Sequence, residues 1–347
     1  MVFFLRKLAV GLFVSSFFIM MSAQAGIVEP VYKQLKDPTT GGAPSPVSMS
    51  ITPDGKKMFV MSHGDNFFYI YDLTTPFDLS TMDVSNRSRV SMVGDGSSLL
   101  RTSDNKDIEF NDDGTKVFVF GHRGSLHIYN LTTPYDVASI SSSTVVPDDG
   151  INYLTKHITD YDDTSDGNRR INGATFNNDG TKMYLNNGFY NQTSIIQVNL
   201  STPFDPSSGT STYNLDTESV TVRHTMELAF DDDGTRLYLS ESHTSVTTNY
   251  MYVWKLSNPF ELSSATYVDK WKILGNGNNI SPYGWTFGNN GMKLYIGTED
   301  TSLDGRVIYE YDLTCPYGVV ICEVETASVT SAQVEIAKNV IHQNTST

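Results

Sequence analysis

Basic residues are scarce in this chain: 24 Lys and Arg stand against 39 Asp and Glu in 347 residues, a formal charge of −15. A surface of that sign repels phosphate backbones, which excludes nucleic acid as a general partner. Charge of either sign is thin, at 18%, against roughly 25% in ordinary globular chains. Cysteine is almost absent. Cys315 and Cys322 are the only two, so a cysteine-rich scaffold and a thiolate zinc centre are both excluded. Past residue 25 no apolar run approaches the ~20 residues that a membrane-spanning helix needs. Catalytic signatures are missing as well: there is no nucleophile elbow, P-loop, H-E-x-x-H or dinucleotide-binding glycine fingerprint.

What the chain does have is aromatic residues, at 12%, and a hydrophobic content of 39%. These suit a pleated, half-buried surface and a sizeable core. The arrangement is repetitive. SITPDGKKMFVM, EFNDDGTKVFVF, TFNNDGTKMYLN, AFDDDGTRLYLS and TFGNNGMKLYIG share one pattern, with turn glycines Gly55, Gly114, Gly180, Gly234 and Gly291 spaced by 59, 66, 54 and 57 residues. A second motif follows each glycine: LTTPFD, LTTPYD, LSTPFD, LSNPFE and LTCPYG.

Four residues before the glycine stands Ile51, Phe110, Phe176, Phe230 or Phe287; four after it stands Phe59, Phe118, Tyr184, Tyr238 or Tyr295. Positions three and five after the glycine are aliphatic or Met in every repeat. A strand apolar on both faces is one buried between neighbours, and the acidic or Asn residue followed by glycine ahead of it supplies a tight hairpin turn. Third strands are expected near 68–73, 128–131, 195–200, 252–256 and 307–313, each closed by the proline motif and followed by a weaker outer strand.

Four antiparallel strands repeated five times describe an all-β fold, the β-propeller. The strand–NDGTKMY–strand unit resembles YVTN-type and WD-repeat-like propeller repeats, and the resemblance spans roughly residues 30–320. It implies five blades, or six if the long connection over 139–172 hides a degenerate one. Val31–Lys36 is expected to complete the last sheet and so close the ring. The propeller domain is read as 26–322.

The two ends carry their own signals. Residues 1–25 read as a secretory signal peptide: Arg6 and Lys7 precede an apolar stretch, and Ala23-Gln24-Ala25 offers a small-residue cleavage site. Cleavage would remove two bases and no acids, leaving 22 against 39 and a charge of −17. The expected location is exported, whether periplasmic, cell-surface or extracellular. In such a compartment Cys315 and Cys322 should form a disulfide. Residues 323–347 read as a linker with a short amphipathic helix, capped by Thr330 and carrying Val334, Ala337, Val340 and Ile341 on one face. This ending resembles the passenger-to-linker junction of marine bacterial autotransporters, which would make the chain a displayed passenger.

The candidate site follows from topology. Residues seven before each turn glycine begin the innermost strand: Ser48, Asp107, Gly173, Glu227 and Gly284. Asp107 and Glu227 should therefore face the central channel, with His224 and Arg170 in nearby loops as further ligand-binding candidates. Convergent carboxylates could hold Ca²⁺, a cation that prefers oxygen ligands. The acidic run 160–167 lacks the Glu that closes a calcium loop and reads as a solvated loop. The leading functional expectation is an exported, non-enzymatic propeller for binding or display, with a protein or carbohydrate partner. The alternative is a hydrolase: five-bladed propeller glycosidases and propeller lactonases place carboxylates at the channel mouth, and Asp107 with Glu227 would form such a pair. Propeller glycosidases normally use a third acid, and the equivalent positions here, Ser48, Gly173 and Gly284, supply none.

Overall fold

The computed structural model describes residues 26–27, 29–38, 45–63, 67–91, 105–121, 126–146, 171–189, 192–220, 224–242, 249–300 and 305–322. The signal-peptide segment, the C-terminal helix expected over 330–341 and the acidic run 160–167 lie outside them.

Each repeat folds into one four-stranded antiparallel blade. Blade 1 runs from the inside outwards through Ser45–Ile51, Lys57–His63, Phe67–Asp72 and Ser88–Ser91. Blade 2 uses Asn105–Phe110, Lys116–Gly121, Leu126–Leu131 and Ile140–Val146. Blade 3 uses Ile171–Phe176, Lys182–Phe189, Gln192–Leu200 and Gly209–Asp216. Blade 4 uses Thr225–Phe230, Arg236–Glu241, Tyr250–Leu256 and Ala265–Lys272. Blade 5 has Pro282–Gly288, Lys293–Asp300 and Gly305–Asp312, and its outer strand is Val31–Lys36 from the other end of the chain. Inner strands touch in the closed succession 1–2–3–4–5–1. That ring leaves no place for a sixth blade.

The second strands carry the core. Met58 and Val60, Val117 and Val119, Met183 and Leu185, Leu237 and Leu239, and Leu294 and Ile296 are all buried. So are Phe59, Phe118, Tyr184, Tyr238 and Tyr295, which face the neighbouring blade. Three of these reach across with a hydroxyl: Tyr184 Oη donates to the Phe260 carbonyl (2.6 Å), Tyr238 to Tyr317 (2.7 Å) and Tyr295 to Phe77 (2.7 Å). The inner-strand aromatics are equivalent by register but not equally buried. Phe176 is 9% exposed, whereas Phe110, Phe230 and Phe287 are only half-buried.

The two motifs of one repeat lock together. Each turn glycine has φ between +68° and +76°, a region only glycine enters without strain. The aromatic residue of the proline motif lies flat on it: a Cβ on Gly55 would fall 2.5 Å from the Phe77 ring, and one on Gly114 would fall 2.3 Å from Tyr135. Phe77, Tyr135, Phe204, Phe260 and Tyr317 are themselves held at φ between +55° and +61°. Each donates its backbone N–H to the carbonyl of the glycine it covers. These rings therefore pack first on their own blade, and only secondarily between blades.

Ring closure rests on a buried charge. Glu310, on the third strand of blade 5, is fully buried. Its carboxylate accepts from Lys293 Nζ (2.5 Å), from Gln34 Nε2 of the N-terminal strand (2.6 Å) and from the Leu79 N–H of blade 1 (2.8 Å). Cys315 and Cys322 form a disulfide just beyond this blade, with Cα atoms 5.9 Å apart.

Candidate functional site

Every inner strand carries a β-bulge immediately before or at the position seven residues ahead of its turn glycine. Bulges re-aim a side chain and release backbone N–H groups from the ladder. Here both effects are used. Ser48 Oγ accepts the Ile108 N–H of blade 2 (3.1 Å), and Asp107 Oδ2 accepts the Ala174 N–H of blade 3 (2.8 Å). Glu227 Oε2 accepts the Trp285 N–H of blade 5. Each side chain thus holds the next blade by the amide one residue past the equivalent position. Where the ring has glycine instead, the backbones approach directly: a Cβ on Gly173 would lie 2.9 Å from Glu227 Cα, and one on Gly284 would lie 2.5 Å from Ser48 Cα.

Asp107 and Glu227 are brought together across this ring. Ser48 Oγ lies 2.8 Å from Asp107 Oδ1 and 3.0 Å from Glu227 Oε1. One hydroxyl proton cannot serve two carboxylates; the contacts are satisfied when Ser48 donates to one acid and accepts from the other in its protonated form. Burial, then the neighbouring Asp107 charge, holds Glu227 well above the usual carboxylate range; burial also raises Asp107. With Ser48 fully buried, Asp107 1% and Glu227 7% exposed, this layer is a plug in the channel.

His224 stands apart from it. His224 precedes the inner strand of blade 4, at φ +50°, and its carbonyl accepts the Ser242 N–H. It lies on the side of the plug away from the turns. Arg170, and the loops between second and third strands that would ring that face, are outside the described residues. On the turn side, by contrast, a cavity of about 210 Å³ opens against the plug, lined by Asp107 and Glu227 and then by Glu109, Asp112, Asp231 and Asp232.

Glu109 escapes the seven-before-glycine rule. It stands two residues further along, where alternation returns the side chain to the channel: Ser50, Glu109, Thr175, Ala229 and Thr286 form this second layer. Period-two spacing from Asp107 was the signal that would have found it. Thr175 Oγ1 donates to Glu109 Oε1 at 2.5 Å. Burial, then the Asp107 charge, pushes the Glu109 carboxyl up. Asp231 is also raised, to about 6, chiefly by burial, although Arg236 Nε lies 3.2 Å from its carboxylate. Among the described residues no three His, Cys, Asp or Glu side chains gather into one metal-ligand set.

Carboxyls raised in the folded state bind protons that the unfolded chain releases near pH 4–4.5. The stability they contribute is fully present below that range and is lost as pH rises through the raised values. The turn aspartates Asp54, Asp113 and Asp179 are shifted down, mainly by hydrogen bonds from Thr52, Thr115 and Thr181, and oppose this only at lower pH. Thermal melts should therefore show the midpoint falling from pH 5 to pH 8. Glu227→Gln, which retains a donor for Asp107 without a titrating proton, should flatten that slope. A wild-type midpoint that rises over the same interval would show that the plug holds no proton.

No family model and no curated protein matches this chain. Solved propellers resemble it distantly. A Bacteroides uniformis protein provisionally named a 6-phosphogluconolactonase is 12% identical, with a TM-score of 0.42 over 83% of this chain and 71% of its own. A luciferin-regenerating enzyme is 13% identical, at 0.45 over 82% and 96%. The β-propeller domain of a Myceliophteria thermophila protein is 10% identical, at 0.43 over 88% and 90%. At these values the likenesses carry no argument about function.

Proposed function

We propose that this chain is an exported, non-enzymatic propeller that binds a guest at the turn face of its channel. One observation carries the reading: both oxygens of Asp107 and both oxygens of Glu227 are engaged by Ser48, Ala174 and Trp285 of the scaffold. A catalytic carboxyl must present an oxygen to substrate, as acid, base or nucleophile. This pair is buried, and each of its oxygens is held by the scaffold, so its work is to staple blades. Export is supported by the Arg6-Lys7 leader with its small-residue cleavage site and by the Cys315–Cys322 bond.

The test is a hydrolysis screen with aryl glycosides and simple lactones, run on wild type, Asp107→Asn and Glu227→Gln. No turnover is expected from any of them. Turnover by wild type that falls at least about a hundredfold in either variant, the loss typical of a missing acid–base group, would overturn the proposal in favour of the hydrolase. Calcium titration should likewise give no heat, since the carboxyls are spread around the walls instead of gathered at a point.

A further inference from the structure

The five seams between blades are not built alike. Three of them carry directed polar bonds in their outer half. Blade 3 reaches blade 4 through Tyr184 Oη, which donates to the Phe260 carbonyl (2.6 Å), and through Gln197 Oε1, which accepts the Leu262 N–H (2.9 Å). Blade 4 reaches blade 5 through Tyr238 and Arg236, both donating to the Tyr317 carbonyl. Blade 5 reaches blade 1 through Tyr295, which donates to the Phe77 carbonyl, and through Glu310, which accepts the Leu79 N–H.

Around blade 2 the same positions are apolar. Phe59 and Phe118 stand in place of the tyrosines, and neither has a hydroxyl to donate. Opposite them on the third strands, where blades 3 and 5 have Gln197 and Glu310, blades 1 and 2 have Ile70 and Ile128. Ile70 packs in one cluster with Val137 of blade 2, and Ile128 in another with Phe176 and Phe204 of blade 3. The turn of blade 3 that corresponds to Leu79 and Leu262 begins with Pro206, which has no N–H for a neighbour to bind. Polar links do join blade 2 to its neighbours at the channel, through Ser48 with the Ile108 N–H, Asp107 with the Ala174 N–H and Thr175 with Glu109.

Directed bonds resist sliding, because a displaced donor or acceptor is left buried and unpaired. Apolar packing is non-directional and tolerates small shear. The chain gives blade 2 room for it. Connections of 13 and 24 residues, 92–104 and 147–170, join it to blades 1 and 3, whereas blade 4 is joined by 8 and 9, 217–224 and 273–281. We propose that blade 2 is the moving part of the ring: it slides as a unit on its two apolar seams, carries Asp107 out of the plug and so opens the channel. The inference is independent of what binds at the turn face.

The experiment is native-state hydrogen–deuterium exchange on the full chain, resolved to single residues by mass spectrometry. Lys116–Gly121 and Leu126–Leu131 of blade 2 are compared with the equivalent Arg236–Glu241 and Tyr250–Leu256 of blade 4. The blade 2 strands should be at least about tenfold less protected, a difference equivalent to one net hydrogen bond. The Ala174 N–H, although it belongs to blade 3, should exchange with blade 2, because Asp107 is its acceptor. The double variant Phe59→Tyr/Phe118→Tyr supplies the hydroxyls, which by the symmetry of the repeat would meet the Tyr135 and Phe204 carbonyls. It should raise the protection of blade 2 about tenfold and leave blade 4 unchanged. Equal protection of blades 2 and 4 in wild type would overturn the proposal, and so would a folded double variant whose blade 2 exchanges as before. An Ala174 amide that stays protected while blade 2 exchanges would show that Asp107 does not leave the plug, and would refute the opening of the channel. If the double variant does not fold, the wild-type comparison decides alone.

Discussion

Gly284→Ala is expected to destabilise the ring by about 3 kcal/mol or more, the upper end for forcing an extra carbon into a packed interior. The added Cβ would fall 2.5 Å from Ser48 Cα and 2.7 Å from the Val47 carbonyl. Both contacts are backbone atoms of blade 1, so no rotamer change can relieve them. Gly277→Ala is the matched control. Its φ is +80°, yet a Cβ there meets nothing within 4 Å, so it reports left-handed strain alone, roughly 1–2 kcal/mol. Urea unfolding of the two variants checks the difference. If Gly284→Ala costs no more than Gly277→Ala, blades 5 and 1 are not in direct backbone contact.

That glycine also marks where reading the sequence stopped short. Blade number, strand order, the closing role of Val31–Lys36 and the turn glycines were all legible, because each rests on a pattern repeated five times. Asp107 and Glu227 were legible as channel residues for the same reason. Their hydrogen bonds were not. In a list of Ser48, Asp107, Gly173, Glu227 and Gly284 the glycines read as absent side chains, whereas in the fold they are points of backbone approach that let the acids reach the following blade. Glu109 was missed because only one repeat of five has an acid there. Asp112 and Asp232 sit in turns whose acids are explained locally by the hairpin, so their shared cavity emerges only when the blades are arranged around an axis.

The second large effect belongs to Glu310. Glu310→Ala should cost about 3–5 kcal/mol, the usual loss when one partner of a buried ion pair is removed. Lys293, only 12% exposed at its side chain, would keep Asp312 but lose its buried partner, and the Leu79 N–H and Gln34 amide would lose their acceptor. Its ammonium is held above the ordinary lysine range by the hydrogen bonds it donates to Asp312 and Glu310, against the pull of burial, so it would stay charged. Glu310→Gln keeps an acceptor for Leu79 and should cost less. Calorimetric melting of both variants tests this, and equal midpoints for Glu310→Ala and wild type would show that the N-terminal strand is held by its ladder bonds alone.

The position of the closing strand has a consequence for how the chain is made. Gln34 meets Glu310 across 276 positions of sequence, so a growing chain delivers the outer strand of blade 5 first and the sheet that receives it last. Loop-closure entropy rises only logarithmically, by about 0.6 kcal/mol for each doubling of length. The burden therefore falls on time more than on final stability. Four blades can assemble from local hairpins as they emerge, but the ring stays open until Gly305–Asp312 exists. Once that strand exists, and until Val31–Lys36 docks on it, it presents a bare edge to any other chain nearby. Assembly is thus governed by a single late annealing step, and the N-terminal strand serves as this protein's own guard against edge-to-edge association.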